Sequence, residues 1–234
     1  MSEKKPPVRK PDTKHRVGRR RANRDLSFRA PLLARGHATF EGILDATGAL
    51  LEGSGIDAVT TNHVARAAGI NVATLYHYFP NKQAILLALF QRQTHRRATV
   101  ARDALDDLRA GGDWRAVIGA AIDAVIALRL SEPGAVALRM AMRANPQLKR
   151  YDREDTLLVS RAIAERILES GATPDEAAAV AFCCVETIGA LLDAWQLDSG
   201  GRDAQIVVQL KRMVERFLAP YFDAAVRPAA RTRR

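Results

Sequence analysis

The sequence is poor in the residues that build disulfides, metal sites and cofactor sites. Its 234 residues include two cysteines, Cys183 and Cys184, which are neighbours in the chain. Adjacent residues on a helix point in different directions, so we expect these thiols to be small buried groups in a reducing compartment. The five histidines pair with no cysteine or carboxylate at a recognisable metal spacing. The sequence therefore predicts no metal and no cofactor.

Catalytic motifs and long apolar runs are missing as well. The chain contains no nucleophile elbow, phosphate-binding loop or marked pair of carboxylates, which argues against an enzyme. No uninterrupted apolar run approaches the roughly 18 residues that cross a bilayer. No apolar stretch follows the basic run Arg19–Arg21, so these residues do not open a secretory signal. We expect a cytoplasmic protein that is not an enzyme and does not contact a membrane.

Basic residues are concentrated at the two ends of the chain. The net charge is +10; residues 1–31 carry eleven Lys or Arg against three Asp or Glu, and residues 227–234 add four Arg. Terminal segments of this kind attract polyanions, although a solvated tail that only aids solubility has the same composition. Because residues 1–31 also lack apolar periodicity, they are predicted to form a disordered basic arm, and 227–234 a basic tail.

Between these ends, apolar residues recur at helical spacing, and no alternating strand pattern is present. Gly53–Gly55 is expected to stop the first helix. Thr60 or Thr61 and Asn71 are expected to cap two short helices, and Asn81 starts a long one. The sequence predicts an all-α fold of about nine helices.

Residues 61–79 meet the requirements of a helix-turn-helix, in which two short helices cross steeply after a tight turn. Gly69 suits the turn, because one backbone position there takes a positive φ. Ala65 is small enough for the two helices to approach closely. The spacing also predicts inward-facing apolar residues at Val64, Ala68, Ile70, Leu75 and Tyr78. These features predict a unit that presents its second helix to DNA.

The stretch TTNHVARAAGINVATLYHYFPNKQAIL resembles the DNA-binding signature of the TetR family of bacterial transcriptional regulators. The resemblance extends from Phe40 to about Leu89, and beyond residue 90 only length and helix order match. It implies a helix-turn-helix DNA-binding domain over residues 32–80 and a helical regulatory and dimerisation domain over 81–226. It also implies that the protein binds double-stranded DNA as a homodimer.

The resemblance implies which side chains contact DNA. The start of the second short helix enters the major groove, while Leu75, Tyr78 and Phe79 share one helix face and pack inward. Hydroxyl, imidazole and ammonium donors are expected on phosphates, and short side chains at the helix start on base edges. The predicted contacts are Thr61, Tyr76, His77 and Lys82 to phosphates, and Asn71, Val72, Ala73 and Thr74 to bases.

The predicted recognition helix contains no Arg or Lys between Asn71 and Phe79. Bidentate pairing of arginine with guanine is the commonest base-specific contact, so its absence indicates weaker direct readout or help from the basic arm. The hypothesis is that Arg19–Arg21 and Arg24 enter an adjacent minor groove.

Two stretches near the C-terminus carry narrow apolar seams with the spacing of helix–helix interfaces. With the resemblance, they indicate a four-helix bundle made with a second copy, and an intramolecular core is the alternative. The predicted dimer-interface residues are Ala181, Cys184, Ile188, Leu191, Leu210, Met213 and Phe217.

A binding site for an unidentified small-molecule effector is expected in the C-terminal part. Glu186 and Asp193 face either solvent or a pocket, where they would select a cationic or hydroxylated ligand. Arg139 and Arg143 share a helix face and either bind an anionic ligand or lie in water. The candidate ligand-binding residues are Trp114, Arg139, Met142, Phe182, Glu186 and Trp195.

The sequence and the resemblance together predict a ligand-responsive transcriptional regulator. We expect a repressor that binds a palindromic operator and is released by its effector. Two alternatives remain open: a non-specific DNA-binding protein driven by the basic arms, and an activator with the same fold.

Overall fold

The protein is described by a computed structural model that covers residues 26–31 and 33–226, with side chains to residue 223. The described chain contains nine α-helices and no strand, which confirms the predicted all-α class. The predicted minor-groove contacts at Arg19–Arg21 and Arg24, and the basic tail at 227–234, lie outside the described residues. The helices are α1 Ala34–Ala58, α2 Thr61–Ala67, α3 Val72–Tyr78, α4 Lys82–Arg109, α5 Trp114–Ser131, α6 Ala135–Ala144, α7 Lys149–Leu168, α8 Pro174–Ser199 and α9 Ala204–Val226.

The second, third and fourth helices each begin with a side-chain cap. Thr60 Oγ1 accepts a hydrogen bond from the His63 N–H at 3.2 Å, and Asn71 Oδ1 accepts one from the Thr74 N–H at 2.7 Å. At the start of α4, Asn81 Oδ1 accepts a hydrogen bond from the Ala84 N–H at 2.9 Å. Each cap satisfies an amide at a helix start that has no partner inside its own helix. The predicted caps are confirmed.

Helix α1 continues beyond its predicted end. The glycine that was expected to stop it, Gly55, instead produces a kink, with φ 73° and ψ −177°. One further helical turn follows and ends at Ala58. Glycine adopts this backbone conformation without the steric penalty that a Cβ would bring.

The described helices pack into two hydrophobic cores. The first contains residues of α1, α2, α3 and α6 and the first turns of α4, and the second joins α5, α7, α8 and α9 with the end of α4. Because α4 contributes to both cores, it links the N-terminal helices to the C-terminal ones.

The chain before α1 closes the end of the first core. The ring of Phe28 lies 5.9 Å from that of Phe40 and 5.8 Å from that of Phe79. The Arg29 N–H donates to the carbonyl of Tyr78 at 3.0 Å. The prediction of a disordered arm extending to residue 31 is therefore wrong for residues 26–31, because Leu26 and Phe28 pack on the core.

Helix α8 is long and apolar enough to cross a membrane by length and composition, although only 28% of its most apolar window is buried in the chain. The sequence contains no uninterrupted apolar run of this length, because two carboxylates interrupt the apolar residues of α8. Those carboxylates, Glu186 and Asp193, form ion pairs with Arg143 and Arg129. Helix α8 is thus a member of the helical bundle. Most of its side chains are buried or half-buried, and Leu197 is exposed.

Candidate DNA-binding and ligand-binding sites

The turn between α2 and α3 has the geometry of a helix-turn-helix. Val64 and Ala65 on α2 and Leu75 on α3 are all but inaccessible to solvent. Gly69 adopts φ 66°, and the Ile70 N–H donates to the Ala65 carbonyl at 3.0 Å. Since the turn and the buried contacts both restrain α3, its orientation relative to α2 is fixed, and so is the direction in which its outer face points.

The outer face of α3 carries the predicted DNA contacts. Asn71, Ala73, Tyr76 and His77 are exposed, and Val72 and Thr74 are half-buried. Leu75 and Phe79 are fully buried, as the helical spacing predicted. The exposed residues therefore lie on the surface that a DNA groove can reach.

Two predicted phosphate contacts meet at the protein surface. Thr61 at the start of α2 and Tyr76 in α3 have their hydroxyl oxygens 3.1 Å apart. Hydroxyl groups both donate and accept, so this pair can share one hydrogen bond and still offer a donor to a phosphate oxygen. His77, the residue after Tyr76, is also exposed. Its ring packs edge-on against that of Tyr78, with the ring centroids 5.1 Å apart.

Lys82 has a protein partner in the structure. Its Nζ donates to the carbonyl of Ile56 at 2.6 Å, in the turn that follows the kink of α1. Burial lowers the pKa of the Lys82 ammonium, and the nearby Asp57 carboxylate partly offsets this effect. An ammonium group has further donors to spare, so a phosphate contact by Lys82 stays a prediction.

A cavity of about 170 Å³, called the α4–α9 cavity below, is lined by residues of all six helices from α4 to α9. Most of its wall is apolar, with Leu105, Ile122 and Phe222 among the lining residues. Charged and polar side chains from α4, α5, α6, α7 and α8 also contribute: Arg97, Arg129, Arg139, Arg143, Asp155, Thr156, Arg166 and Glu186.

The structure brings only some of the predicted ligand residues to this cavity. Arg139 and Glu186 line it, whereas four apolar candidates do not. Three of these are buried elsewhere and one is half-buried, because an apolar residue at helical spacing packs in a core as readily as around a pocket. The four that do not line the cavity are Trp114, Met142, Phe182 and Trp195.

Specific contacts hold three of these residues away from the cavity. The Trp114 ring lies 5.2 Å from that of Phe222 in a tilted arrangement, and its Nε1–H donates to Asp223 at 2.9 Å. The Trp195 Nε1–H donates to the carbonyl of Asp203 at 2.8 Å. Met142 is fully buried in the core that also contains α1.

Glu186 and Asp193 differ in exposure: the side chain of Glu186 is 34% exposed and that of Asp193 is 15% exposed. Asp193 accepts a hydrogen bond from Arg129 at 2.6 Å. The two oxygens of Glu186 accept from Arg143 at 3.2 Å and from the Thr156 hydroxyl at 3.0 Å. Both carboxylates therefore satisfy partners inside the bundle.

The cavity residues missed in the sequence include Arg97, Arg129 and Asp155. Arg129 had a usable signal, because it interrupts the apolar helix AVIALRLS and buried arginines are usually paired. Arg97 and Asp155 lie in strongly polar stretches, where nothing in the local pattern distinguishes them from surface residues.

The predicted dimer residues divide into two groups. Ala181, Cys184 and Leu210 are buried inside one chain, where they form part of its own core and offer little surface to a second copy. Ile188 lines the cavity and Leu191 is half-buried. Met213 and Phe217 remain 40% and 42% exposed. The same apolar spacing suits packing within a chain and between chains, so the sequence could not separate the two groups.

Comparison with known proteins identifies the fold and the domain types. Residues 43–89 match the family model "Bacterial regulatory proteins, tetR family". Residues 113–218 match the model "Tetracyclin repressor-like, C-terminal domain". The chain belongs to the TetR family. It is a transcriptional regulator with a DNA-binding helix-turn-helix, and since family members are regulators, the prediction that it is not an enzyme is confirmed.

Two individual regulators are similar in sequence to part of this TetR-family chain. It is 44% identical over 54 residues to the HTH-type transcriptional repressor KstR of Rhodococcus jostii and 34% identical over 70 residues to the uncharacterized regulator YvkB of Bacillus subtilis. These matches cover 23% and 30% of this chain, and 26% and 37% of the two relatives' lengths.

A solved structure extends the similarity to most of the chain. The fatty acid degradation regulator FadR of Bacillus halodurans aligns with 77% of this chain and 94% of its own length. The TM-score is 0.64 at 17% identity, so this likeness shows the fold.

Proposed function

We propose that this TetR-family regulator is a repressor that binds a palindromic operator as a homodimer in the cytoplasm and leaves it when a small molecule enters the α4–α9 cavity. The DNA-binding domain extends to residue 80 and the regulatory domain covers 81–226. The observation that carries the proposal is the exposed face of α3, where the Tyr76 hydroxyl pairs with that of Thr61 on α2. The same chain contains a cavity with a mostly apolar wall.

Uncovered apolar surface on α8 and α9 supports the homodimer. Phe217 and Met213 lie about one turn apart on α9 and are exposed within one chain, as is Leu197 on α8. Helix α8 has the apolar composition of a buried helix, but only 28% of its most apolar window is buried within one chain. A second copy of the chain packed on this face would bury it and would place two recognition helices on one DNA site.

Helix α6 supports communication between the cavity and the DNA-binding helices. Leu138 is fully buried in the core that contains α1, α2 and α3, and the next residue, Arg139, lines the cavity. At the start of α6, the Gly134 N–H donates to the Glu52 carboxylate of α1 at 2.6 Å. A ligand that moves Arg139 therefore also displaces a helix packed on α1.

The approach of α6 to α1 leaves little freedom at their contact. A Cβ at Gly134 would lie 2.5 Å from Leu51 Cβ and 2.7 Å from the carbonyl oxygen of Gly48. Such close packing transmits displacement rather than absorbing it. The ligand shifts the protein away from its DNA-binding state only by its difference in affinity for the two states.

The proposed function is tested by titrating the protein onto the DNA upstream of its own gene and onto a scrambled duplex of equal length. We expect a preference for the upstream duplex at about 0.15 M salt, with saturation at one or two dimers per duplex. Equal affinity for both duplexes, lost in parallel as salt rises, would instead favour non-specific binding. A reporter gene behind the bound site separates a repressor from an activator.

We expect Tyr76→Phe and Lys82→Gln to weaken DNA binding in different ways. Tyr76→Phe removes a neutral donor, so affinity falls about tenfold while the salt dependence stays the same. Lys82→Gln removes a charge that displaces a counterion, so the slope of log K against log salt falls by about 1. Lys149→Gln, which removes an exposed lysine at the start of α7, is the control and leaves both quantities unchanged. An unchanged slope for Lys82→Gln would show that its ammonium stays on Ile56.

A further inference from the structure

A cluster of buried guanidinium groups lines part of the cavity. Arg97 on α4, Arg129 on α5 and Arg139 on α6 have side chains that are 12%, 5% and 12% exposed. Burial, reinforced by the neighbouring charge of Arg139, lowers the pKa of Arg129 to about 10 and also lowers that of Arg97. A negative charge placed among these groups would stabilise their charged forms.

Arg139 is the member of the cluster with the weakest protein contacts. Arg129 contacts Asp193 at 2.6 Å. Arg139 lies 3.8 Å from the same carboxylate and 3.9 Å from Asp152, which is too far for a hydrogen bond. Both carboxylates near the Arg139 guanidinium are bound more closely by other arginines, Asp193 by Arg129 and Asp152 by Arg143.

The buried polar atoms without partners show what the cavity lacks. In the described residues, the Nε–H groups of Arg129 and Arg166 have no acceptor, and both arginines line the cavity. Arg166 pairs with Glu169 through another nitrogen of its guanidinium, whereas Arg129 lies beside Arg139. The unpartnered carboxylate oxygens belong to Glu132 and Asp152, which do not line it. Glu186 does line it, but both of its oxygens accept hydrogen bonds from other side chains. The polar part of the cavity therefore needs an acceptor.

Apart from Arg166 at one end, the remainder of the cavity is apolar, long and narrow. Its wall follows α4 from Arg97 to Leu108 and α7 from Asp155 to Arg166. At a rise of about 1.5 Å per residue, each of these walls is roughly 16 Å long. The volume of about 170 Å³ is little more than the roughly 150 Å³ of a cavity that holds benzene. An unbranched chain fits this shape better than a ring system, and a long chain must push the helices apart.

We propose that the cavity binds an elongated apolar molecule that ends in a carboxylate, and that Arg139 and Arg129 hold the carboxylate. This inference rests on the proposed function, because it names the effector class of the same cavity. The planar fork of arginine matches a carboxylate through two parallel hydrogen bonds. A cationic end group would meet like charge, and an alcohol would leave most of the donors without a partner.

The test compares three probes with the same ten-carbon chain: decanoate, decanol and decylamine. Each is titrated by calorimetry into the full-length protein without DNA. We expect decanoate to bind about tenfold or more tightly than decanol, because its hydrogen bonds are charge-assisted, and decylamine to bind least. Equal affinities, a preference for the amine, or no binding of decanoate up to its solubility limit would overturn the proposal.

Two variants locate the carboxylate. Arg139→Gln is expected to lower decanoate affinity roughly 10- to 100-fold, to about that of decanol. Arg166→Gln changes a cavity-lining arginine that pairs with Glu169, and this variant should retain the preference for decanoate. Loss of the preference in Arg166→Gln alone would place the carboxylate elsewhere and overturn the proposal. Arg139→Lys, which keeps the charge but loses the fork, is used if Arg139→Gln does not fold, and it should lose part of the affinity.

A second measurement separates this inference from the proposed function. Decanoate is added to the complex of the protein with its upstream DNA. Binding in the calorimeter without release of DNA would support the ligand class and contradict ligand-responsive release. Release of DNA by other compounds, with no binding of decanoate, would support the proposed function and overturn the ligand class.

Discussion

Replacing Phe217 by glutamate is expected to convert the proposed homodimer into a monomer and to lower affinity for the proposed operator roughly 100-fold or more. Phe217 is 42% exposed on α9 within one chain, and in the proposed dimer the second copy covers it. Glutamate at this position would bury an unpaired charge in an apolar interface. Two linked recognition helices bind their half-sites with a high effective concentration, and a monomer loses this advantage.

Light scattering gives the mass of the variant in solution, and titration onto the upstream duplex gives its affinity. Leu158→Glu is the matched control, because Leu158 on α7 is 58% exposed and lines a surface pocket between α4 and α7. We expect this control to remain dimeric with unchanged DNA affinity. If Phe217→Glu is still a dimer, the outer face of α9 is not the interface.

The two cysteines supply an independent readout of the same interface. Cys183 on α8 is exposed within one chain, so a partner on this face should slow its alkylation in the wild-type protein and not in Phe217→Glu. Cys184 is buried, and burial raises its pKa to about 11, so it should stay unreactive in both proteins. Mass spectrometry after brief alkylation counts the modified thiols.

Replacing Phe79 by alanine is expected to lower the free energy of unfolding by about 3 to 5 kcal/mol and to abolish DNA binding. The Phe79 ring is fully buried and lies 4.9 Å from Phe40 and 5.8 Å from Phe28. Its removal leaves a cavity at the point where α3 ends, so α3 loses the contact that holds its C-terminal end.

Urea unfolding measures the stability of this variant and titration measures its affinity for DNA. His77→Ala is the control, because His77 is exposed only two residues away. It should leave stability within about 0.5 kcal/mol of the wild type while weakening DNA binding through the lost phosphate contact. A loss of less than about 1 kcal/mol in Phe79→Ala would show that the aromatic cluster does not stabilise the DNA-binding helices.

Local sequence signals were sufficient for the DNA-binding helices. Thr60, Asn71 and Asn81 cap the helices that follow them, and Gly69 has the positive φ that the turn requires. Each of these depends on residues a few positions apart, so the side-chain types and their spacing determine the result.

Contacts between distant residues could not be predicted in the same way. The seam of α8 suits either an internal core or a dimer, and only the packed bundle places Ala181 and Cys184 inside one chain. Leu26 and Phe28 belong to a basic, proline-containing segment, yet both pack on the first core, and Phe28 contacts Phe40, because the three-helix core leaves an apolar end for them to cover.

The sequence by itself determined the all-α class, the helix-turn-helix and the exposed face of α3, because these follow from periodicity, caps and one turn within some twenty residues. The tertiary structure decided the cavity, since Arg97, Arg129 and Arg139 come from three separate helices and meet only when those helices pack. It also decided that Glu186 and Asp193 form ion pairs with arginines of other helices. A charge in a helix has the same local sequence pattern whether it faces solvent or a distant partner, and only the packing of the bundle separates the two.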